Sequence, residues 1–178
     1  MDKPSIVTKG GDEGRTRLFT GQEVSKASVR PEAYGDLDEL VSMLGWAKTL
    51  VAKPEIVEII EDLQKRLFRA GAELASDGEL YTDPIGSDDV VDMDALASGL
   101  ESRIQMPEGF ILPGGTQAGA ILDVSRTIAR RLERKVVLLT DQQMLSNPEM
   151  LVWINRLSDV LWLCARLEEG SATTLKDG

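Results

Sequence analysis

The chain has 178 residues, a formal net charge of −10, no histidine and a single cysteine. Without histidine, every histidine-based triad and the common transition-metal sites are excluded, and one cysteine cannot form an intrachain disulfide. The acidic balance argues against nucleic acid, whose phosphates are held on broad basic surfaces, and the length fits one domain whose core needs no disulfide or metal.

Residues 1–30 carry four glycines and no sustained helical period, which predicts an ordered loop or a short hairpin. Within them, Thr8-Lys9-Gly10-Gly11-Asp12-Glu13-Gly14-Arg15-Thr16 combines three glycines with two cations and two hydroxyls. Glycines let backbone N–H groups approach a phosphate closely, and Lys9 and Arg15 supply charge. The Gly-Lys-Ser/Thr ending of a Walker A loop is absent, and the same residues also suit an ordinary turn. No apolar stretch follows Met1-Asp2-Lys3-Pro4, and the longest apolar runs are too short to span a bilayer. The expectation is a cytoplasmic protein with no membrane partner.

A first helix is predicted from near Pro31 to about Leu50, with Leu37, Leu40, Val41, Leu44 and Ala47 at helical spacing. Pro54 opens a second, with Ile56, Ile59, Ile60, Leu63, Leu67, Ala70 and Leu74 on its apolar face, ending at Ser76-Asp77-Gly78. Residues 77–92 read as an acidic loop, and a shorter third helix covers roughly 92–105 before Pro107 and Gly109.

The fourth helix covers about 116–140. Pro113-Gly114-Gly115 leads into it, Thr116 suits its N-cap, and its free N–H groups and dipole favour an anion. On it, Arg126, Arg130 and Glu133 fall at i, i+4 and i+7, beside a mostly apolar stripe of Ile121, Ser125, Ala129, Leu132 and Val136. Arginines often only solvate a helix face. Yet a guanidinium about 4 Å from a phosphate gains about 4 kcal/mol at an effective dielectric of 20, so this local cluster outweighs the global acidic sign.

Pro148 starts the fifth helix, through Leu151, Ile154, Leu157, Leu161 and Ala165. Asn155 and Asp159 interrupt it at i, i+4 with Arg156 alongside, a set that also reads as structural polar pairing. Asp36, Asp38 and Glu39 on the first helix are natural partners for the arginines. Trp46, Trp153 and Trp162 read as core or subunit-interface residues, and Cys164 as a small buried apolar group. The fold class is therefore all-α: an antiparallel five-helix bundle with an ordered N-terminal glycine-rich loop, in one domain spanning 1–178, with 1–30 as the loop and 31–170 as the bundle.

These segments, in order, resemble the PduO-type ATP:cob(I)alamin adenosyltransferase family. The residues carrying the resemblance are Thr8 to Thr16, Arg30 with Ala33-Tyr34-Gly35-Asp36-Leu37-Asp38-Glu39-Leu40, Phe110 to Thr116, Arg126-Thr127 with Arg130 to Arg134, and Asn155 to Asp159. The resemblance implies a homotrimer with ATP between adjacent subunits. It assigns Thr8, Lys9, Gly10, Gly11, Asp12, Gly14 and Thr16 to the triphosphate loop, Lys26 and Arg130 to further cation contacts, and Asn155 to the nucleotide. It also pairs Arg126 with Asp36 of the neighbouring subunit, and lets Glu133 organise the arginines or the Mg2+ side.

The implied reaction is attack by Co(I) of a reduced corrinoid on the ribose 5′-carbon of ATP, giving adenosylcobalamin and inorganic triphosphate. Because the nucleophile belongs to the corrinoid, the missing histidine is no obstacle. By the same resemblance, Phe110 occupies the lower axial face of cobalt and favours four-coordinate Co(II). Arg130, Phe110 and Arg126 are the catalytic candidates. A corrinoid reductase and an adenosylcobalamin-dependent enzyme are the implied partners.

Three positions depart from the family pattern: Val41 where Asn is usual, Asp123 where His is usual, and Leu132 where Ala is usual. Asp123 puts a carboxylate one turn before Arg126, where it competes with Asp36. Two other readings remain open on sequence: a carrier of nucleotide or adenosylcobalamin with the same fold, and a helical oligomer whose arginines serve only subunit salt bridges.

Overall fold

The computed structural model describes residues 7, 9–76, 81–170 and 174. A two-stranded antiparallel hairpin, β1 (Arg15–Arg17) and β2 (Glu23–Ser25), sets Thr16 opposite Val24. Five helices follow: α1 (Val29–Leu50), α2 (Pro54–Leu74), α3 (Ser87–Glu101), α4 (Gln117–Asp141) and α5 (Pro148–Glu169). The predicted five-helix bundle is thus present, with a hairpin before it. Thr8 and the Asp77-Gly78 stop lie outside the described residues.

The helix starts follow local chemistry. Pro54 and Pro148 occupy first-turn positions, where the missing N–H costs nothing. Thr116 Oγ1 accepts from the Gly119 N–H at 2.9 Å, and Asn147 Oδ1 from the Glu149 N–H at 3.0 Å, each satisfying one of the orphan donors at a helix start. α4 is the central element, packed most extensively on α5 and then α1; α2 lies beside α1, and α3 beside α5. Leu40 and Leu44 of α1, Leu63 and Leu67 of α2, Leu122 and Leu132 of α4, and Trp153 and Leu157 of α5 are buried in one shared core. Each such side chain contributes about 1.5–3 kcal/mol on leaving water.

The third helix departs from expectation. It begins at Ser87, so Ser87-Asp88-Asp89 is a helix start and not the end of an acidic loop, and it finishes at Glu101. Asp89 Oδ2 accepts from the Gly86 N–H at 2.9 Å, half of a capping box. The same carboxylate receives Arg66 at 2.9 Å and Arg69 at 2.8 Å, so α2 neutralises the acidic turn. Burial acts to raise the Asp89 carboxyl, but hydrogen bonds from Arg69 and the Gly86 N–H, with the charges of Arg69 and Arg66, outweigh it and hold the group below its usual range.

α1 begins at Val29, two residues before Pro31, and buries Arg30. Its guanidinium donates to the carbonyls of Leu74 at 3.1 Å and Ser76 at 2.6 Å, tying the start of α1 to the end of α2. Of the three tryptophans, Trp153 is core, Trp162 is partly buried and Trp46 is exposed. Cys164 is fully buried, and that burial, with the nearby charge of Glu55, pushes its thiol up to about 12. Among the described residues no helix is long and apolar enough to cross a membrane.

Candidate active site

The arginines of α4 divide between two faces. Arg131 Nε donates to Asp36 Oδ1 at 3.0 Å and the guanidinium also meets Glu39, while Lys135 pairs with Glu32. The hydrogen bond with Asp36 is the largest influence keeping Arg131 firmly charged. Helix one therefore does supply partners, as expected, but to Arg131 and Lys135. Arg130 and Arg134 are exposed, and among the described residues neither has a hydrogen bond or ion pair. Holding two bare guanidiniums one turn apart costs mutual repulsion, which an anion would relieve.

Arg126, one turn before Arg130, donates from Nε to Asp123 Oδ1 at 3.0 Å. Within the chain, then, Asp123 takes Arg126 and Asp36 goes to Arg131. Glu133 Oε1 accepts from Asn155 Nδ2 at 2.8 Å, and Asn155 Oδ1 accepts from Arg156 Nη1 at 3.1 Å. Arg156 in turn reaches Asp94 Oδ1 at 2.7 Å, so a polar line crosses α4, α5 and α3. It leads to a cavity of about 470 Å3 between α3 and α5, bordered by Asp94, Asp159, Trp162 and Met106.

The hairpin assembles a second cluster. Gly10, Gly11, Thr16 and Lys26 line a cavity of about 420 Å3 together with Arg15, Arg17 and Glu23. Lys26 lies directly over Gly11: a Cβ there would sit 2.5 Å from Lys26 Nζ, so only glycine allows the ammonium this close to the backbone. The turn is closed by the Lys26 N–H donating to Gly14 O at 2.9 Å. Lys9 holds φ at 60°, a left-handed conformation costly for a side-chain-bearing residue, and its carbonyl accepts from the Asp12 N–H at 3.3 Å. Arg15 is tied across the hairpin to Glu23.

Among the described residues the hairpin cavity is bordered by the hairpin and its preceding turn and not by α4. The hairpin docks on the end of α2, where the Phe19 N–H donates to Ala75 O at 2.8 Å and the Phe19 ring meets Tyr81 edge-on at 6.2 Å. Phe110, on the segment between α3 and α4, is 82% exposed. The start of α4 does hold an anion, but it is the chain's own: Glu169 Oε1 accepts from the Gly115 N–H at 3.0 Å. One of the N–H groups expected to favour an anion there is thus met by the chain's own carboxylate. Arg166 and Glu169, which organise this corner, were not singled out from the sequence; the signal is an arginine among the buried residues of α5 with a glutamate three residues on.

This arrangement is that of a PduO-type bundle. A solved variant of the PduO-type ATP:corrinoid adenosyltransferase from Lactobacillus reuteri, in complex with cobalamin and ATP, matches with a TM-score of 0.89 and 31% identity, covering 97% of this chain and 99% of that one. A second variant of that enzyme, complexed with ATP, gives a TM-score of 0.88 at 32% identity, covering 95% and 99%. The family model described as cobalamin adenosyltransferase matches residues 6–168, and the chain belongs to that family.

Among curated relatives, corrinoid adenosyltransferase PduO of Citrobacter freundii is 39% identical over 171 residues, covering 94% of this chain. The chain spans about half of that relative, 51% of its length, and the same share of the Salmonella typhimurium counterpart. Another corrinoid adenosyltransferase of Citrobacter freundii is 38% identical, with 92% of this chain and 94% of the relative covered.

Proposed function

We propose that this chain transfers the 5′-deoxyadenosyl group of ATP to Co(I) of a reduced corrinoid, releasing inorganic triphosphate. The observation that carries the reading is the guanidinium of Arg130, unpaired among the described residues and held on the packed α4 beside Arg126 and the Glu133–Asn155 hydrogen bond. In the reaction the cobalt electron pair forms a bond to C5′ as the C5′–oxygen bond breaks. Charge then accumulates on the departing triphosphate, where a preorganised cation is worth most. Lys26, with Gly10, Gly11 and Thr16, supplies a second cation and close backbone contacts for the same phosphates, with Thr8, Lys9, Asp12 and Gly14 completing the loop.

The separation of the hairpin cavity from the α4 arginines supports a site completed between subunits, and hence the homotrimer. Two half-sites on one chain, each cationic and neither enclosing a nucleotide alone, make sense when a neighbour supplies the other half. Among the described residues no group of three carboxylate or thiolate side chains could hold a metal ion. Mg2+ would therefore come bound to the triphosphate, which suits an ion that keeps most of its water. Phe110, exposed and apolar, is available to cover the lower face of the corrinoid. We further assign one domain, a cytoplasmic setting, a reductase that supplies Co(I), and an adenosylcobalamin-dependent enzyme that receives the product.

The carrier reading keeps one specific observation in its favour: Asp123 binds Arg126 within the chain and so competes with Asp36 of a neighbour. A single-turnover experiment separates the two. Stoichiometric enzyme, Mg-ATP and chemically reduced cob(I)alamin should give a cobalt–carbon bond; tight binding of both ligands with no such bond would establish the carrier.

A further inference from the structure

Two buried carboxylates and one buried arginine connect the segment that carries Phe110 to Arg126. Glu169 Oε1 accepts from the Gly115 N–H at 3.0 Å, and Glu169 Oε2 meets Arg166 Nη2 at 3.0 Å. The same Nη2 donates to Asp123 Oδ2 at 2.6 Å, and Asp123 Oδ1 receives Arg126 Nε at 3.0 Å. The side chains of Arg166, Glu169 and Asp123 are 2%, 2% and 6% exposed, so water screens little of this line. Each carboxylate uses one oxygen in each direction, and the set is charge-balanced.

The fit is specific at both ends. Glu169 closes against two glycines: a Cβ on Gly115 would lie 3.1 Å from its carboxylate, and one on Gly119 would collide with it outright. Its charge lies at the end of α5, where the helix dipole disfavours it, but also at the start of α4, where the dipole favours it, and Arg166 settles the balance. Among the described residues Arg166 Nε and Nη1 have no hydrogen-bond partner, and the guanidinium carbon stands 5.6 Å from the Trp162 ring centroid. Its polar contacts among the described residues are with the two carboxylates. From its start at Gln117, α4 rises about 9 Å to Asp123 at 1.5 Å per residue, and Gly115 lies two residues further back, too far for direct contact.

We propose that Asp123, Arg166 and Glu169 are positioning residues that fix the Phe110–Gly115 segment relative to Arg126, so that the corrinoid-facing wall and the nucleotide-facing guanidinium are set by one buried charge line. None of the three touches substrate; each acts through Gly115 or Arg126. The kinetic part of this inference rests on the proposed reaction, whereas its structural part does not.

The test uses the full chain and Asp123→Asn, Glu169→Gln and Gly119→Ala. The last leaves every charge in place but pushes the carboxylate off Gly115, and so carries the test if either charge variant fails to fold. Hydrogen exchange of residues 110–116 should rise about tenfold in Asp123→Asn, although Asp123 does not contact that segment. Conversely, Glu169→Gln and Gly119→Ala should raise the KM for ATP about tenfold through Arg126, with the fraction of four-coordinate Co(II) also falling. Exchange and KM values equal to wild type in folded variants, with only melting temperature lowered, would overturn the inference. A wild-type protein that makes no adenosylcobalamin would remove the proposed reaction and leave the exchange result to decide.

Discussion

The face of α4 turned to α1 sets Arg131 and Lys135 against Asp36, Glu39 and Glu32, whereas Arg130 and Arg134 stand exposed without a partner among the described residues. Residues of the same type, adjacent in sequence, thus meet different fates because a helix turns each by 100° from the next. An exposed ion pair contributes at most about 1 kcal/mol, so the paired face is a modest structural gain. An unpaired guanidinium contributes nothing to the fold and keeps its full capacity for an anionic ligand. Where the charges are already matched, substitutions should cost stability; where they are not, substitutions should cost activity.

The sharpest way to break that comparison is Arg130→Ala. Its turnover with cob(I)alamin and Mg-ATP should fall about a hundredfold or more, with the thermal midpoint and helical circular dichroism unchanged. Phe110→Ala, also exposed, should lower turnover about tenfold and reduce the four-coordinate Co(II) signature, again without loss of fold. Asp89→Asn works in the opposite sense: it should cost about 2 kcal/mol in urea unfolding while the folded fraction keeps wild-type turnover.

The pH dependence of that loss has a definite sign. The folded Asp89 carboxyl is held below its unfolded value, so its contribution is present above the ordinary carboxylate range and is lost as pH falls through the lowered value. The difference between wild type and Asp89→Asn should therefore shrink below about pH 4. Arg131→Ala should cost less than about 1 kcal/mol and leave kcat/KM within about twofold of wild type. Smallest of all, Cys164 should react with a thiol reagent only as fast as the protein unfolds, because burial raises its thiol to about 12.

Periodicity carried most of the fold. The proline starts at Pro54 and Pro148, the Thr116 cap and the apolar stripes are local signals, and the helices they predict are the helices observed. The start of α3 is not legible locally because the stabilising partners of Asp89, Arg66 and Arg69, lie on another helix; without them Gly86-Ser87-Asp88-Asp89 has the composition of a loop. In the site, the glycine turn and the α4 stripe are legible because chemistry and spacing sit together in the sequence, whereas Lys26 enters only through the family resemblance. The partner of each arginine is not legible: Asp36 lies 95 residues from Arg131, and Arg166 lies 43 from Asp123. Asp123 itself was visible as a carboxylate one turn before Arg126, but its second contact required the packing of α5 on α4.

The central claim is that this chain makes a cobalt–carbon bond at the expense of ATP, using the unpaired face of α4. The most direct measurement is an anaerobic steady-state assay of wild type and Arg130→Ala, following adenosylcobalamin and inorganic triphosphate together. The account predicts both products in equal amounts over many turnovers for wild type and almost none for the variant. Binding of both substrates without either product, or an Arg130→Ala rate equal to wild type, would contradict it.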